Sequence, residues 1–193
     1  TMEVWTKGEA MSFAQICKGW ENKGWLKALK QGAHLILTGG EPLMYQSNIK
    51  EFITFFKHTY EFIPPIEIET NGTFSLDPEL TSFVFQCNVS PKLSNSGVDK
   101  KKRINSEALS QFSMMSNSIF KFVVSTIQDI QEIEDSFISP YHIQKSKVYL
   151  MPAAASRDEL KTVSRDVIEW CKQDGYRYST RLHIDVWDQK TGV

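Results

Sequence analysis

The chain has 193 residues, 41% of them hydrophobic and 23% charged, an ordinary globular composition with enough length to bury a core. Its 22 basic and 23 acidic residues leave a formal net charge of −1, which excludes the global basic field expected of a nucleic-acid or anionic-lipid partner. No apolar run approaches the ~20 residues of a membrane span, and Cys17, Cys87 and Cys171, isolated from one another, predict a reducing, cytoplasmic setting rather than a disulfide scaffold.

Taken in order, residues 11–31 predict one or two helices interrupted at Gly19 or Gly24. The stretch 33–38, AHLILT, reads as the first strand. A helix over 47–60 starts at Ser47 as N-cap and places Ile49, Phe52, Ile53 and Phe56 on one face. Residues 65–70 (PIEIET) and 84–89 (VFQCNV) read as strands, and between them the pair Asp77-Pro78 opens a short helix. The segment 93–105, in which SNSG precedes the basic run from Asp99 to Arg103, reads as a solvated loop. Helices over 106–116 and 126–137 flank a strand at 119–124 (IFKFVV), and a strand at 147–151 (KVYLM) follows. The helix 156–174 carries a capping box, Ser156 with Glu159, and stops at Gly175. The last strand is expected at about 178–187, where residues 181–187 alternate polar and apolar side chains.

Repeated βα units predict a parallel sheet, either doubly wound and open or an incomplete (βα) barrel. In both, ligands bind at the carboxyl ends of the strands. Those ends read Thr38-Gly39-Gly40-Glu41-Pro42, Glu69-Thr70-Asn71-Gly72, Ser90-Pro91-Lys92 and Met151-Pro152-Ala153-Ala154. The two glycines are not a phosphate loop, because no Gly-Lys-Ser/Thr follows and no G-x-G-x-x-G occurs. Bare glycine carbonyls beside a carboxylate are acceptors, and they suit a cationic amine held close to the main chain. Read alone the other ends are weak signals: Asn71-Gly72 is a common turn pair and better read as a plain turn, Ser90-Pro91 fits an ordinary loop start, and Lys92 a surface charge. The four histidines show no ligand spacing.

Together, TGGEP after one strand and ETNGT after the next resemble the S-adenosylmethionine motifs of the radical SAM superfamily. With SPK, FKFVVS, LMP and the ending RLHIDVWDQKTGV, the chain resembles the 7-carboxy-7-deazaguanine synthase family over nearly its whole length. The resemblance implies an α/β fold of incomplete, TIM-like (βα) barrel type, in one domain over 1–193. It also implies a lyase that turns 6-carboxy-5,6,7,8-tetrahydropterin into 7-carboxy-7-deazaguanine with loss of ammonia, in queuosine and deazapurine biosynthesis. Its cofactors would be a [4Fe-4S] cluster, S-adenosylmethionine and Mg²⁺. Its partners would be the pterin substrate, a reductant such as flavodoxin and a second copy in a homodimer, with no nucleic acid or membrane.

Carried over residue by residue, the resemblance gives Gly39, Gly40 and Glu41 to the cofactor ammonium, and Glu69 and Asn71 to the cofactor at the next strand end. Ser90, Pro91 and Lys92 would line its ribose and carboxylate, and Met151, Pro152, Ala153 and Ala154 its adenine. Thr38 and the terminal carboxylate of Val193 would meet the substrate, and Thr1 would offer its hydroxyl to Mg²⁺. One departure stands out: the C-x-x-x-C-x-x-C cluster motif is absent. Thr1 matches the Thr that follows the third of those cysteines, so a first strand and the cluster loop are expected upstream, which leaves the edge beside strand 33–38 unfinished. Two other readings stay open, a different radical SAM enzyme such as a glycyl-radical activase and a cluster-free α/β ligand-binding module.

Overall fold

In the computed structural model, which describes residues 9–190, the first helical stretch divides at Gly24. Helix α1 (Phe13–Asn22) starts at Ser12, whose hydroxyl and the Gln15 side chain form a reciprocal capping box. Gly24 then takes φ 74°, a left-handed conformation, and opens α2 (Trp25–Lys30); glycine adopts that conformation without steric cost, and Gly19 stays helical. Strand β1 (Leu35–Leu37), a 3₁₀ turn (Pro42–Tyr45), helix α3 (Gln46–Tyr60), β2 (Ile66–Thr70), α4 (Pro78–Thr81) and β3 (Val84–Val89) follow. Helix α3 begins one residue before Ser47, with Tyr45 at the N-cap position and no side-chain cap. The 3₁₀ turn that runs straight into α3 removes the need for one.

The described residues form two units, 9–70 with 76–87, and 71–75 with 88–190. In the first, β1 and β2 pair in parallel with Leu35 opposite Ile66 and Leu37 opposite Ile68. The predicted apolar face of α3 delivers Phe52 and Phe56 into an aromatic core with Phe13, Cys17, Trp20 and Leu29, and Phe13 and Trp20 both meet the Phe52 ring edge-on. Such pairs add to the stabilisation that aromatic burial itself provides. Among the described residues, β1 ends the strand order and pairs with β2 alone. The central Ile36 of β1 is half exposed, on an apolar groove of about 380 Å³ that Phe13, Trp20, Pro42, Ile49 and Phe52 also line.

The second unit continues with α5 (Lys100–Arg103), α6 (Ser106–Met114), β4 (Ser118–Val124), α7 (Ile127–Ile133) running on through a π turn into α8 (Ser139–Tyr141), β5 (Val148–Pro152), α9 (Arg157–Asp174), β6 (Arg177–Tyr178) and α10 (Leu182–Trp187). Strand β4 alternates buried and half-buried residues along its length. Phe120, Phe122 and Val124 on one face are fully buried, as are Leu150 of β5 and Phe137. Lys121 points to the opposite face and is half buried. The Ser156 hydroxyl caps α9 at Glu159, and Gly175 ends the helix with φ 79°. The Glu159 carboxylate reaches Ala155, one residue before the N-cap, so the expected reciprocal box is offset by one position.

Two sequence expectations are corrected in this unit. Residues 182–187 form a helix, not the last strand. Their alternation buries only Ile184, while Leu182, Val186 and Trp187 stay exposed. The carbonyls of Asp185 and Val186 accept hydrogen bonds from the Arg157 guanidinium at 3.1 and 3.2 Å, and carbonyls committed to a side chain are lost to a strand ladder. The basic run is not a solvated loop either: Asp99 caps the single turn α5 through Lys101 N–H, and Arg103 is buried.

Among the described residues the strands form one six-stranded sheet in the order β1-β2-β3-β4-β5-β6, with β1–β2, β4–β5 and β5–β6 parallel. A doubly wound sheet reverses its strand order at a switch point, whereas a (βα) barrel adds strands in sequence. The sequential, open order therefore decides for the incomplete-barrel expectation.

Candidate functional site

At the carboxyl end of β1 the backbone is bare. Gly39 takes φ 121°, and a Cβ placed on Gly39 or Gly40 would meet nothing within 4 Å. Only glycine occupies that φ without strain. Glu41 follows and turns inward: it is 7% exposed, and its Oε1 accepts the N–H of Leu43 at 3.1 Å and the hydroxyl of Thr70 at 2.8 Å. The carboxylate thus caps the 3₁₀ turn while it closes the glycine pair. Beside it the Thr38 hydroxyl donates to Glu69 Oε2 at 3.1 Å, and both residues are exposed. The ends of β1 and β2 in this unit therefore bring together two carboxylates, a hydroxyl and two uncovered glycines, a set of acceptors that fits a ligand carrying an ammonium group.

In the second unit Asn71 closes an Asx turn. Its Oδ1 accepts Thr73 N–H at 2.9 Å and the Thr73 hydroxyl at 2.5 Å. The turn depends on Gly72, whose φ is 77° and where a Cβ would stand 2.9 Å from Val89 Cγ1. Asn71 is therefore bound into a turn, as its sequence alone allowed.

The end of β3 opens on a cleft of about 380 Å³ lined by Ser90, Pro91, Lys92, Asn95, Ser125 and Ala153, among others. Pro91 is buried and Lys92 exposed, and the Lys92 ammonium donates to the Ser90 carbonyl at 3.2 Å. Hydroxyls, an amide and one ammonium around a mainly apolar hollow suit a polyhydroxylated, anionic ligand. At the end of β5, Ala153 N–H is already donated to the Val124 carbonyl at 2.8 Å. It is therefore a sheet group, and of the four residues expected at the adenine Ala153 alone lines this cleft. The Thr1 and Val193 expectations lie outside the described residues.

Sequence reasoning missed the side chains that shape this cleft. Asp129, buried to 5% exposure, accepts Ser125 N–H at 2.7 Å, Thr126 N–H at 3.0 Å and Asn95 Nδ2 at 3.1 Å, which fixes two cleft walls at once. The Thr126-x-x-Asp129 spacing was the legible signal, because it is a capping box. Arg103 and Glu132 form an ion pair at 2.7 Å, and nothing in their spacing announced it.

Among the described residues no group of three or more His, Cys, Asp or Glu side chains comes together to hold a metal. Cys17, Cys87 and Cys171 are free and buried. Burial pushes the Cys87 thiol up to about 12 and the Cys171 thiol up to about 11, and it raises Cys17 as well. An iron–sulfur cluster takes thiolates, so these cysteines do not fit one.

No protein-family model matches the chain. It is 36% identical over 166 residues to the 7-carboxy-7-deazaguanine synthase of Pyrobaculum aerophilum, a stretch covering 86% of this chain and 70% of that protein. It is 27% identical to the enzyme of the same name from Halobacterium salinarum, over 84% of this chain and 68% of that one. The fold resembles the crystal structure of QueE from Escherichia coli with a TM-score of 0.60 and 20% identity, over 89% of this chain and 64% of that chain. The chain thus spans about two thirds of the length of the proteins it matches.

Proposed function

The chain belongs to the 7-carboxy-7-deazaguanine synthase family, and on that premise we propose that it is a radical SAM lyase converting 6-carboxy-5,6,7,8-tetrahydropterin to 7-carboxy-7-deazaguanine with release of ammonia. The observation that carries this reading is the glycine pair at the end of β1, open to space and closed by the buried carboxylate of Glu41. When bound, S-adenosylmethionine supplies the one-electron chemistry that removes a hydrogen atom from the substrate.

The chain's own residues bind and orient. Gly39 and Gly40 offer carbonyl oxygens, and Glu41 a carboxylate, to the methionyl ammonium, a charge-assisted arrangement stronger than a neutral hydrogen bond. Glu69 and Asn71 face the cofactor at the next strand end. Lys92 offers its ammonium to the methionyl carboxylate, Ser90 and Pro91 line the ribose, and Met151, Pro152, Ala153 and Ala154 lie along the adenine. Because the Ala153 N–H is taken by the sheet, the base edge is left to the other backbone groups of that run. Thr38, hydrogen-bonded to Glu69, keeps its hydroxyl oxygen as an acceptor toward the pterin.

The described residues do not fit a [4Fe-4S] cluster, and we place its thiolate ligands outside them. On the family reading the described residues belong to a single radical SAM domain. The family reading extends to Mg²⁺, to a low-potential reductant such as flavodoxin and to a homodimer. No helix among the described residues is long and apolar enough to cross a membrane.

The test is incubation of the reconstituted, reduced protein with S-adenosylmethionine and 6-carboxytetrahydropterin, followed by mass spectrometry. Expected are 7-carboxy-7-deazaguanine and one equivalent of ammonia per product. Cofactor cleavage without pterin turnover would favour another radical SAM activity. Binding of S-adenosylmethionine by protein that takes up no iron would favour a cluster-free binding module.

A further inference from the structure

Lys92 sits in a short run, Pro91-Lys92-Leu93, whose two flanking side chains are buried while its own is exposed. Two charged residues from elsewhere in the same unit grip that run. Arg103, 6% exposed, donates Nη1 to the Lys92 carbonyl at 3.0 Å and pairs Nη2 with Glu132 Oε1 at 2.7 Å. Glu132 in turn accepts the Ser94 N–H at 2.9 Å and the Ser94 hydroxyl at 2.6 Å, both on Oε2. The backbone is therefore held on both sides of Leu93 by one guanidinium–carboxylate pair.

The geometry is specific to arginine. One planar guanidinium serves a carbonyl and a carboxylate in two directions, which the point charge of a lysine does not reproduce. The preceding Lys100, Lys101 and Lys102 are all exposed, so the turn capped by Asp99 sorts its four cations and sends only Arg103 inward. A buried ion pair is weak evidence for stability alone, because desolvation offsets much of its attraction. A role in fixing geometry accounts for one here: the Lys92 side chain leaves a backbone that is pinned at its carbonyl and opens onto the cleft.

We infer that Arg103 and Glu132 are positioning residues, which hold the Lys92 backbone so that its ammonium meets the anionic end of the bound cofactor. The inference rests on the reading of the cleft as the cofactor's carboxylate and ribose region. It predicts that Arg103 acts through Lys92 and not beside it.

The experiment is calorimetric titration of reconstituted protein with S-adenosylmethionine, for Lys92→Ala, Arg103→Gln, Arg103→Lys, Glu132→Gln and the double variant Lys92→Ala/Arg103→Gln, with near-ultraviolet circular dichroism to establish folding. Lys92→Ala and Arg103→Gln are each expected to weaken binding roughly tenfold, the scale of one charge-assisted contact. The double variant should bind no more weakly than Lys92→Ala alone, since a residue acting through another is not additive with it. Arg103→Lys should not restore affinity. If Arg103→Gln fails to fold, Glu132→Gln, which keeps the side-chain shape, carries the same cycle. Additive losses, or wild-type affinity in Arg103→Gln beside a loss in Lys92→Ala, would overturn the positioning role and leave the cofactor reading standing. Wild-type affinity in Lys92→Ala would overturn both.

Discussion

The Thr70 hydroxyl donates a 2.8 Å hydrogen bond to Oε1 of Glu41, and the same oxygen accepts the Leu43 N–H. A residue chosen for its acceptor chemistry toward a ligand is thus also part of the local fold, and the two roles separate by experiment. Glu41→Gln keeps an oxygen for Thr70 and Leu43 but removes the charge. It is expected to weaken S-adenosylmethionine binding by about 1.5–3 kcal/mol with little change in the urea midpoint. Thr70→Val, which strips the buried hydroxyl from the carboxylate, is expected to lower stability by about 1–2 kcal/mol. Calorimetry and urea titration measure the two effects, and unchanged affinity in a folded Glu41→Gln would return Glu41 to a purely capping role.

Gly72 and Gly19 make a matched pair. At Gly72 a methyl group would meet Val89 Cγ1 at 2.9 Å with φ at 77°, whereas at Gly19 it would meet nothing within 4 Å. Gly72→Ala is expected to cost about 1–3 kcal/mol, and Gly19→Ala, inside α1, to gain about 0.5–1 kcal/mol. Urea unfolding of the two variants checks the signs, and equal effects would mean that the Asn71 turn is not constrained as described.

Glu134 should make stability fall in acid. Burial works against its charge, but the hydrogen bonds from Lys145 and Tyr176 outweigh it and hold the carboxyl below its usual value of 4.5. A depressed folded value means that the contribution is fully present above pH 4.5 and is lost as pH falls through the lower folded value. Glu134→Gln is expected to lose about 1–2 kcal/mol at pH 7 and to show a flatter decline below pH 4.5. Unfolding midpoints at pH 7 and in the acid range decide it, and parallel curves for variant and wild type would remove Glu134 from the pH dependence.

The three cysteines should be inert as ligands. With thiols buried and Cys87 pushed up to about 12, Cys17→Ala, Cys87→Ala and Cys171→Ala are each expected to leave iron and sulfide per chain after reconstitution unchanged. Colorimetric iron and sulfide assays measure this. A fall to zero in any one folded variant would make that residue a cluster ligand.

Arg157 should govern the C-terminal helix. Its N–H donates to Asp188 Oδ1 at 2.8 Å, and its guanidinium to the carbonyls of Asp185 and Val186. Arg157→Ala keeps the backbone N–H to Asp188 but removes the two guanidinium bonds, and it is expected to lower hydrogen-exchange protection of residues 182–187 at least tenfold, about 1.4 kcal/mol of local opening. Unchanged protection would assign the helix's stability to Ile184 burial instead.

The sequence by itself determined the strands from β1 to β5, the capped helix α9 and which polar residues stand at each strand end, because those features are local. Period-2 burial, an N-cap serine, a stop glycine and a glycine pair before a carboxylate are written in consecutive residues. It also carried the family, because the strand-end motifs occur in a specific combination. Only the tertiary structure decided the sequential strand order, the helix at 182–187 and the burial of Arg103. An alternating run folds as a strand only when a neighbouring strand takes its carbonyls, and here Arg157 takes two of them. A cation leaves solvent only when a partner distant in sequence neutralises it, and Glu132 lies in another helix. Pairings between distant residues leave no local trace, so the turn that holds Lys92 was invisible until the chain was folded.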